Sequence, residues 1–406
     1  MMNKTPNANR LHIAIFGKRN VGKSSLINAI SNQNLSIVSE IAGTTTDPVY
    51  KAMEIFPIGP VVLIDTAGID DSGEIGELRI KKTHQVIKKT DLALLVINPE
   101  PLSDYDITLI NLFKDNNIPF IIVINKSDLC NWTLSEIDDY TAINVSALNK
   151  CGIDELKNLI IKHSPKYFEQ PSLMGDLIKP GDTVVLVIPI DSGMPKGRLI
   201  LPEVQTIRDI LDNDALTYIA KDTEYKFALS NLKDKPKIVV TDSQAFQKVS
   251  ADTPPDILLT SFSILIARYK GDLVNMVKGA KQMRSITKGD KILISEACTH
   301  HAQPDDIGKV KIPRWIKEYI SEEVSFDFCN GRDYPENLSD YKLIIHCAGC
   351  MLNRKEMLSR IDQANVKGIP IVNYGMAIAY MFGILDRALK PFPEAYQEWQ
   401  SKEVVK

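Results

Sequence analysis

The chain has 406 residues, 44% of them apolar and 24% charged, with a net charge of −3 and six cysteines. These proportions support packed cores and about three domains. They argue against a large basic footprint for nucleic acid and against a disulfide framework. Residues 1–10 are polar, without the apolar core of a signal peptide, and the longest apolar runs are of strand length, too short to span a bilayer. A cytoplasmic protein is expected.

Leu11–Phe16 is an apolar run of strand type that leads directly into Gly17-Lys-Arg-Asn-Val-Gly22-Lys23-Ser24, and a helical pattern begins at Ser25. A strand, G-x4-G-K-S and a helix start make a phosphate cradle. The glycines let backbone N–H groups wrap the phosphates, and the helix N-terminus adds its dipole. Lys23 reaches the β- and γ-phosphates, Ser24 ligates Mg2+, and Gly17, Gly22 and Ser25 complete the nucleotide contacts.

Three further strand ends carry matching chemistry. Residues 61–64 run into Asp65-Thr-Ala-Gly68, with a carboxylate for the Mg2+ shell and the Gly68 N–H for the γ-phosphate. Phe120–Ile124 runs into Asn125-Lys126-Ser-Asp128, where Asp128 accepts two hydrogen bonds from the N1–H and N2–H2 edge of guanine. Adenine offers no such donor pair and would leave the carboxylate unpaired. Residues 143–145 lead into Ser146-Ala147, where a backbone N–H can read guanine O6. Four motifs in this order predict a domain that binds and hydrolyses GTP.

Residues 11–163 resemble the TrmE and Era group of GTPases. Through that resemblance residues 43–47 form the first switch, with Thr45 a ligand of Mg2+ and the γ-phosphate, and Asn20 helps to hold K+ beside the phosphates. Ile69 stands where Ras-like enzymes place a water-orienting glutamine, and an apolar side chain cannot orient water. Glu77, ahead of Glu74, is the candidate for that task; the competing reading makes both solvated switch residues. Asp70 and Asp71 read as surface charge.

Residues 164–180, with prolines at 165, 171 and 180, read as a linker. Between 182 and 270, apolar strand runs alternate with helical spacings, which predicts a small α/β sheet. No catalytic constellation occurs there, and Asp191, Asp222 and Asp242 read as turn formers. Such a unit is a candidate for self-association, through an exposed first strand at 182–190.

From Lys291 onward strands again alternate with helices, the last of them an apolar helix over 376–389, which implies a parallel sheet whose ligands collect beyond the carboxyl ends of its strands. Two of those ends carry Cys298-Thr-His300 and His346-Cys347-Ala-Gly-Cys350. Cys347 and Cys350 lie about one turn apart and Cys298 supplies a third thiol. This soft set suits Zn2+ or an iron–sulfur cluster. For zinc, His300 or His346 would close a tetrahedron. For iron, three thiolates on a [4Fe-4S] cube leave one iron with a weaker or exchangeable ligand. Cys130, Cys151 and Cys329 read as packing residues.

C-x-H, a gap of about 45 residues and H-C-x-x-C, behind a TrmE-like GTPase, resemble the HydF family of [FeFe]-hydrogenase maturation GTPases over nearly the whole chain. The resemblance implies α/β architecture in three domains: a GTPase at 9–165, a dimerisation domain at 176–270 and a cluster-binding domain at 271–406. It implies a homodimer with a [4Fe-4S] cluster on Cys298, Cys347 and Cys350, and a fourth ligand drawn from His300, His346, Glu296 or an exchangeable molecule. It further implies a scaffold that accepts a diiron subcluster made with radical-SAM maturases and delivers it to apo-[FeFe]-hydrogenase.

Two other readings share the first domain: a tRNA-modification GTPase of the TrmE class, and a zinc-stabilised regulatory GTPase. The former carries a C-terminal cysteine motif, where this chain reads Glu-Val-Val-Lys. A ribosome-assembly GTPase with a KH module is disfavoured, because no G-x-x-G loop follows residue 163. With Asn20 as a potassium contact and no glutamine at Ile69, basal GTP hydrolysis is slow and faster in K+ than in Na+ at equal ionic strength. Phosphate release in the two salts measures this, and equal turnover would refute it.

Overall fold

A computed structural model of the chain describes residues 5–31, 48–66, 83–130, 140–165, 172–190, 197, 199–297, 306–331, 334–335 and 337–401. The chain divides into two compact units, residues 1–169 and 170–406. No helix among the described residues is long and apolar enough to cross a membrane.

The first unit is built on a six-stranded sheet of order β2-β3-β1-β4-β5-β6. Its strands are β1 (Leu11–Phe16), β2 (Val49–Ile55), β3 (Gly59–Asp65), β4 (Leu92–Ile97), β5 (Phe120–Ile124) and β6 (Ala142–Asn144). β1 and β4 are buried at every residue, which is why they read as unbroken apolar runs. β2 runs antiparallel along the edge beside β3, and its mixed exposure left no alternation to recognise in the sequence. Helices Lys23–Ser31 and Ile153–His163 flank the sheet, and Asp104–Asp115 begins at a capping box in which Ser103 and Asp106 bond reciprocally.

The second unit holds two four-stranded sheets, β10-β9-β7-β8 and β12-β11-β13-β14. The first comprises β7 (Thr183–Val187), β8 (Leu216–Ala220), β9 (Ile238–Thr241) and β10 (Leu258–Ser261); the second comprises β11 (Lys291–Glu296), β12 (Ser325–Asn330), β13 (Leu343–His346) and β14 (Ile371–Asn373). All pairings in both are parallel. One continuous apolar core runs through both, from Leu173 to Ala395. At the junction Arg387 donates to the carbonyls of Ser250, Thr253 and Pro254 at 2.8, 2.9 and 2.6 Å, and Asn373 Nδ2 donates to Ser263 O at 2.7 Å.

Three sequence expectations need correction. The first strand of the middle region is not exposed: β7 lies inside its sheet between β9 and β8. An unbroken apolar run marks the centre of a parallel sheet, and the edge is β8, where Leu216, Tyr218 and Ile219 are about half exposed. The linker ends earlier than its prolines implied. Leu173, Met174 and Ile178 are buried in the core, and Asp209 accepts from the backbone N–H groups of Leu173 and Met174 at 3.3 and 2.7 Å. The apolar helix expected over 376–389 is two helices, Tyr374–Met381 and Leu385–Leu389, parted near Gly383, whose φ of 69° ends a helix.

Glu203, in helix Leu201–Asp212, is fully buried. Its Oε2 accepts from Ile200 N–H at 2.9 Å, while Oε1 has no hydrogen-bond partner among the described residues. Burial pushes its carboxyl up to about 7; the Ile200 bond opposes this and nearby Asp242 adds to it. Raised in the fold from an ordinary value of 4.5, this group contributes stability that is present below pH 4.5 and lost as pH rises through about 7. Glu203→Gln is therefore expected to flatten the pH dependence of the second unit's urea midpoint across that window. A slope equal to that of the parent chain would contradict the assignment.

Candidate nucleotide and thiol sites

β1 ends at Phe16, and the loop after it turns through Gly17 and Gly22, with φ of 142° and 92°. A Cβ on Gly17 would lie 2.2 Å from Val96 O, and one on Gly22 would lie 2.3 Å from Asn125 Nδ2. Only glycine fits either position. Lys23 is buried, and its ammonium donates to the carbonyls of Gly17 and Lys18 at 2.8 and 2.7 Å, which holds it over the loop. Ser24 Oγ donates to Asp65 Oδ2 at 2.6 Å, so the two oxygens expected to serve Mg2+ already meet. Burial pushes the Asp65 carboxyl up, while the Ser24 bond and the Lys23 charge pull it down.

The base-reading segments are tied to this loop. Asn125 is buried, donates through Nδ2 to Val21 O at 2.8 Å and accepts at Oδ1 from Ala147 N–H at 3.0 Å. One side chain therefore fixes the phosphate loop against the guanine-reading backbone. Ser146 Oγ donates to Asp128 Oδ1 at 2.5 Å and orients that carboxylate. Lys126 takes a φ of 65°, and Asn20 one of 63° with its side chain exposed. Thr45, Gly68, Glu74 and Glu77 lie outside the described residues.

In the second unit β11 pairs with β13 so that Ser295 faces His346, and Cys347 N–H extends the pairing to Ser295 O at 2.8 Å. Cys347 and Cys350 are half-buried on the loop after β13. Cys347 Sγ accepts from Ala297 N–H at 3.1 Å and from Gly349 N–H at 3.4 Å. The residue before Cys298 thus bonds directly to a Cys347 sulfur fifty positions away. Cys298 and His300 themselves lie outside the described residues. Backbone N–H groups aimed at sulfur suit a thiolate donor set of the kind that binds iron or zinc.

His346 is fully buried with both ring nitrogens engaged. Arg360 donates to Nε2 at 3.0 Å, so the proton sits on Nδ1 and is given to Cys347 O at 2.7 Å. No lone pair remains for a metal in this arrangement, which removes His346 from the fourth-ligand candidates. Glu296 is buried and accepts from Tyr374 Oη at 3.4 Å.

Sequence reading missed Lys270, in helix Phe262–Lys270. The residue is 2% exposed, and its ammonium donates to the carbonyls of Gly349, Cys350 and Leu352 at 3.3, 3.0 and 2.8 Å. Burial pushes it down to about 8, against the pull of Cys350 and Cys347. In sequence it is a lysine before glycine at a helix end, which reads as an ordinary complement to the helix dipole. The expectation that Cys130 and Cys151 pack inside is also wrong. Both are exposed on loops beside the base-reading segments, whereas Cys329 packs against the core.

Models of two related domains match this second unit: the hydrogen maturase F dimerization domain over residues 173–271 and the hydrogen maturase F tetramerization domain over 274–391. Together they take in more than half of the chain. The chain belongs to the hydrogen maturase F family. A third model, described as a 50S ribosome-binding GTPase, matches residues 12–126. The first unit is therefore a P-loop GTPase domain for GTP and Mg2+, and the second is the family's self-association region.

Curated relatives include the tRNA modification GTPase MnmE of Geobacillus thermodenitrificans, 38% identical over 157 residues, 37% of this chain and 33% of that protein. Another is the GTPase Der of Mycoplasmopsis agalactiae, 32% identical over 202 residues, 45% of this chain and 46% of that protein. The chain thus spans a third to a half of the length of these relatives. Among solved structures, Aquifex aeolicus Era bound to GDP.AlF4− aligns at 24% identity and a TM-score of 0.34, over 52% of this chain and 92% of that one.

Removing the guanine-facing carboxylate deletes charge-assisted hydrogen bonds of about 1.5–3 kcal/mol each. Asp128→Ala is therefore expected to weaken GTP binding by about 100-fold in a fluorescent-nucleotide titration, with the weak binding of ATP unchanged. Parallel losses for both nucleotides would mean that the substitution damaged the fold instead.

Proposed function

We propose that the protein is a GTP-hydrolysing scaffold that carries a [4Fe-4S] cluster on Cys298, Cys347 and Cys350, accepts a diiron subcluster and delivers it to apo-[FeFe]-hydrogenase. Family membership supports the role. The observation that supports the ligand assignment is the bond from Ala297 N–H to Cys347 Sγ, which brings the residue before Cys298 onto the Cys347–Cys350 loop. Cys298, Cys347 and Cys350 would hold the cluster, which would supply an iron site open to the incoming metal fragment. The protein's own part is to fix the sulfurs, shield them and present one open face.

In this reading the GTPase spans 9–165, the dimerisation domain 176–270 and the cluster domain 271–406. Asn20 contributes to a K+ site, Thr45 to the Mg2+ site, and Glu77 positions water. Lys23 neutralises charge that develops on the phosphates. His300, Glu296 or an exchangeable molecule completes the cluster. The working assembly is a homodimer joined through the β8 edge, where Leu216, Tyr218 and Ile219 leave apolar surface on an open strand. Its partners are the radical-SAM maturases and the apo-hydrogenase, in the cytoplasm, with no nucleic acid.

Anaerobic reconstitution with iron and sulfide tests the proposal. The expected product is brown, holds about four irons and as many sulfides per chain, and loses its EPR signal on reduction when Cys298, Cys347 or Cys350 is changed to Ser. A colourless protein with one tightly held zinc per chain would defeat it.

A further inference from the structure

The Cys347–Cys350 loop is held from beneath by a residue of another module. Lys270 ends helix Phe262–Lys270, at the boundary between the two matched family domains, and its ammonium grips three carbonyls of the loop. The grip is reciprocal: Arg354, the first residue of helix Arg354–Val366, donates back to Tyr269 O and to Gly271 O.

Two of the three carbonyls matter for the sulfur. The peptide unit that contains Gly349 O also contains the N–H of Cys350, and the unit that contains Cys350 O also contains the N–H of Met351. Both are peptide units of Cys350 itself, and Lys270 sits on the oxygen of each. A cation on the oxygen polarises the peptide and strengthens its N–H as a donor. The acceptors around Lys270 are neutral carbonyls among the described residues, so its charge is left to be balanced by the sulfurs.

We propose that Lys270 is a positioning residue for the metal centre: it fixes the two peptide units of Cys350 through their carbonyls, and it supplies the buried positive charge that an anionic thiolate centre needs. This rests on the cluster assignment above. It also ties the dimerisation module to the cluster, because the residue that sets the thiolate environment belongs to the helix on the far side of the boundary. Hydrogen bonds to cluster sulfurs and nearby charge are among the levers that set a cluster's potential.

The test compares the full-length protein with K270M, K270Q and K281M. Lys281 is an equally buried lysine bound to Glu398 and Ser401, so it controls for the loss of any buried lysine. Two readouts apply: EPR-monitored redox titration of the reconstituted cluster, and absorption titration of the metal-free protein with Co2+, which reports thiolate coordination without iron.

K270M is expected to change the ratio of reduced to oxidised cluster at fixed potential about tenfold toward oxidised, about 59 mV for one electron, and to weaken Co2+ binding about tenfold. K270Q, which keeps a donor but not the charge, is expected to shift both in the same direction by about threefold or more, and K281M neither. An unchanged potential and unchanged Co2+ affinity in K270Q would overturn the inference. It would also fall if both neutral variants failed to fold while K281M folded, since Lys270 would then be structural. If the parent protein takes up no iron, the cluster assignment fails on its own, and the Co2+ comparison still decides the role of Lys270.

Discussion

The parallel pairing of β11 with β13 is the constraint on which the second unit's chemistry depends. Its register sets Ser295 against His346, and from there the geometry follows step by step. The Cys347 N–H continues the ladder, and Ala297 N–H reaches the Cys347 sulfur, so the residue ahead of Cys298 meets the Cys347–Cys350 loop. A slip of one residue would exchange the faces of β13, take His346 away from Arg360 and carry Cys347 with it. The flanking strands resist that slip. Leu343, Ile344 and Ile345 are fully buried, as are Ile292 and Ile294 opposite them, so register is fixed by apolar surface on both faces.

That the first unit is a GTPase domain was legible in the sequence, and the reason is physical. Phosphate binding uses backbone N–H groups, so it needs glycines where only glycine can stand, as at Gly17 and Gly22, and these leave a fixed spacing. Guanine recognition needs one carboxylate, Asp128, at the end of a strand. The linking role of Asn125, which joins Val21 O to Ala147 N–H, also follows from its motif position but becomes visible only as geometry.

In the second unit the strands were legible and their order was not. Apolar runs announce a strand without saying which neighbour it takes, so β7 was placed at an edge when it lies inside the sheet. Lys270 and Arg360 left no sequence signal either. Their partners lie 79 and 14 positions away and are mostly main-chain or neutral groups, which carry no identity in the sequence. A thiol announces itself by its side chain, whereas a residue that serves a thiol through a peptide group does not.

Charge balance gives these two cations a common logic. Lys270 is 2% exposed and Arg360 3%, and the described acceptors of both are neutral: carbonyls for Lys270, and Ser295 Oγ, His346 Nε2 and Gly331 O for Arg360. An uncompensated buried cation costs several kcal/mol even after relaxation. Two of them bracketing one loop would be a heavy burden in a marginally stable fold. The burden falls if the loop itself is the anion. Lys270 holds both peptide units of Cys350, and Arg360 reaches Cys347 O through the His346 ring. Both cations therefore face the thiolates through a layer of polar groups that transmits their field but keeps them from bonding the sulfur. The sulfurs stay available to a metal; burial pushes the Cys350 thiol up, and the Lys270 charge opposes that push.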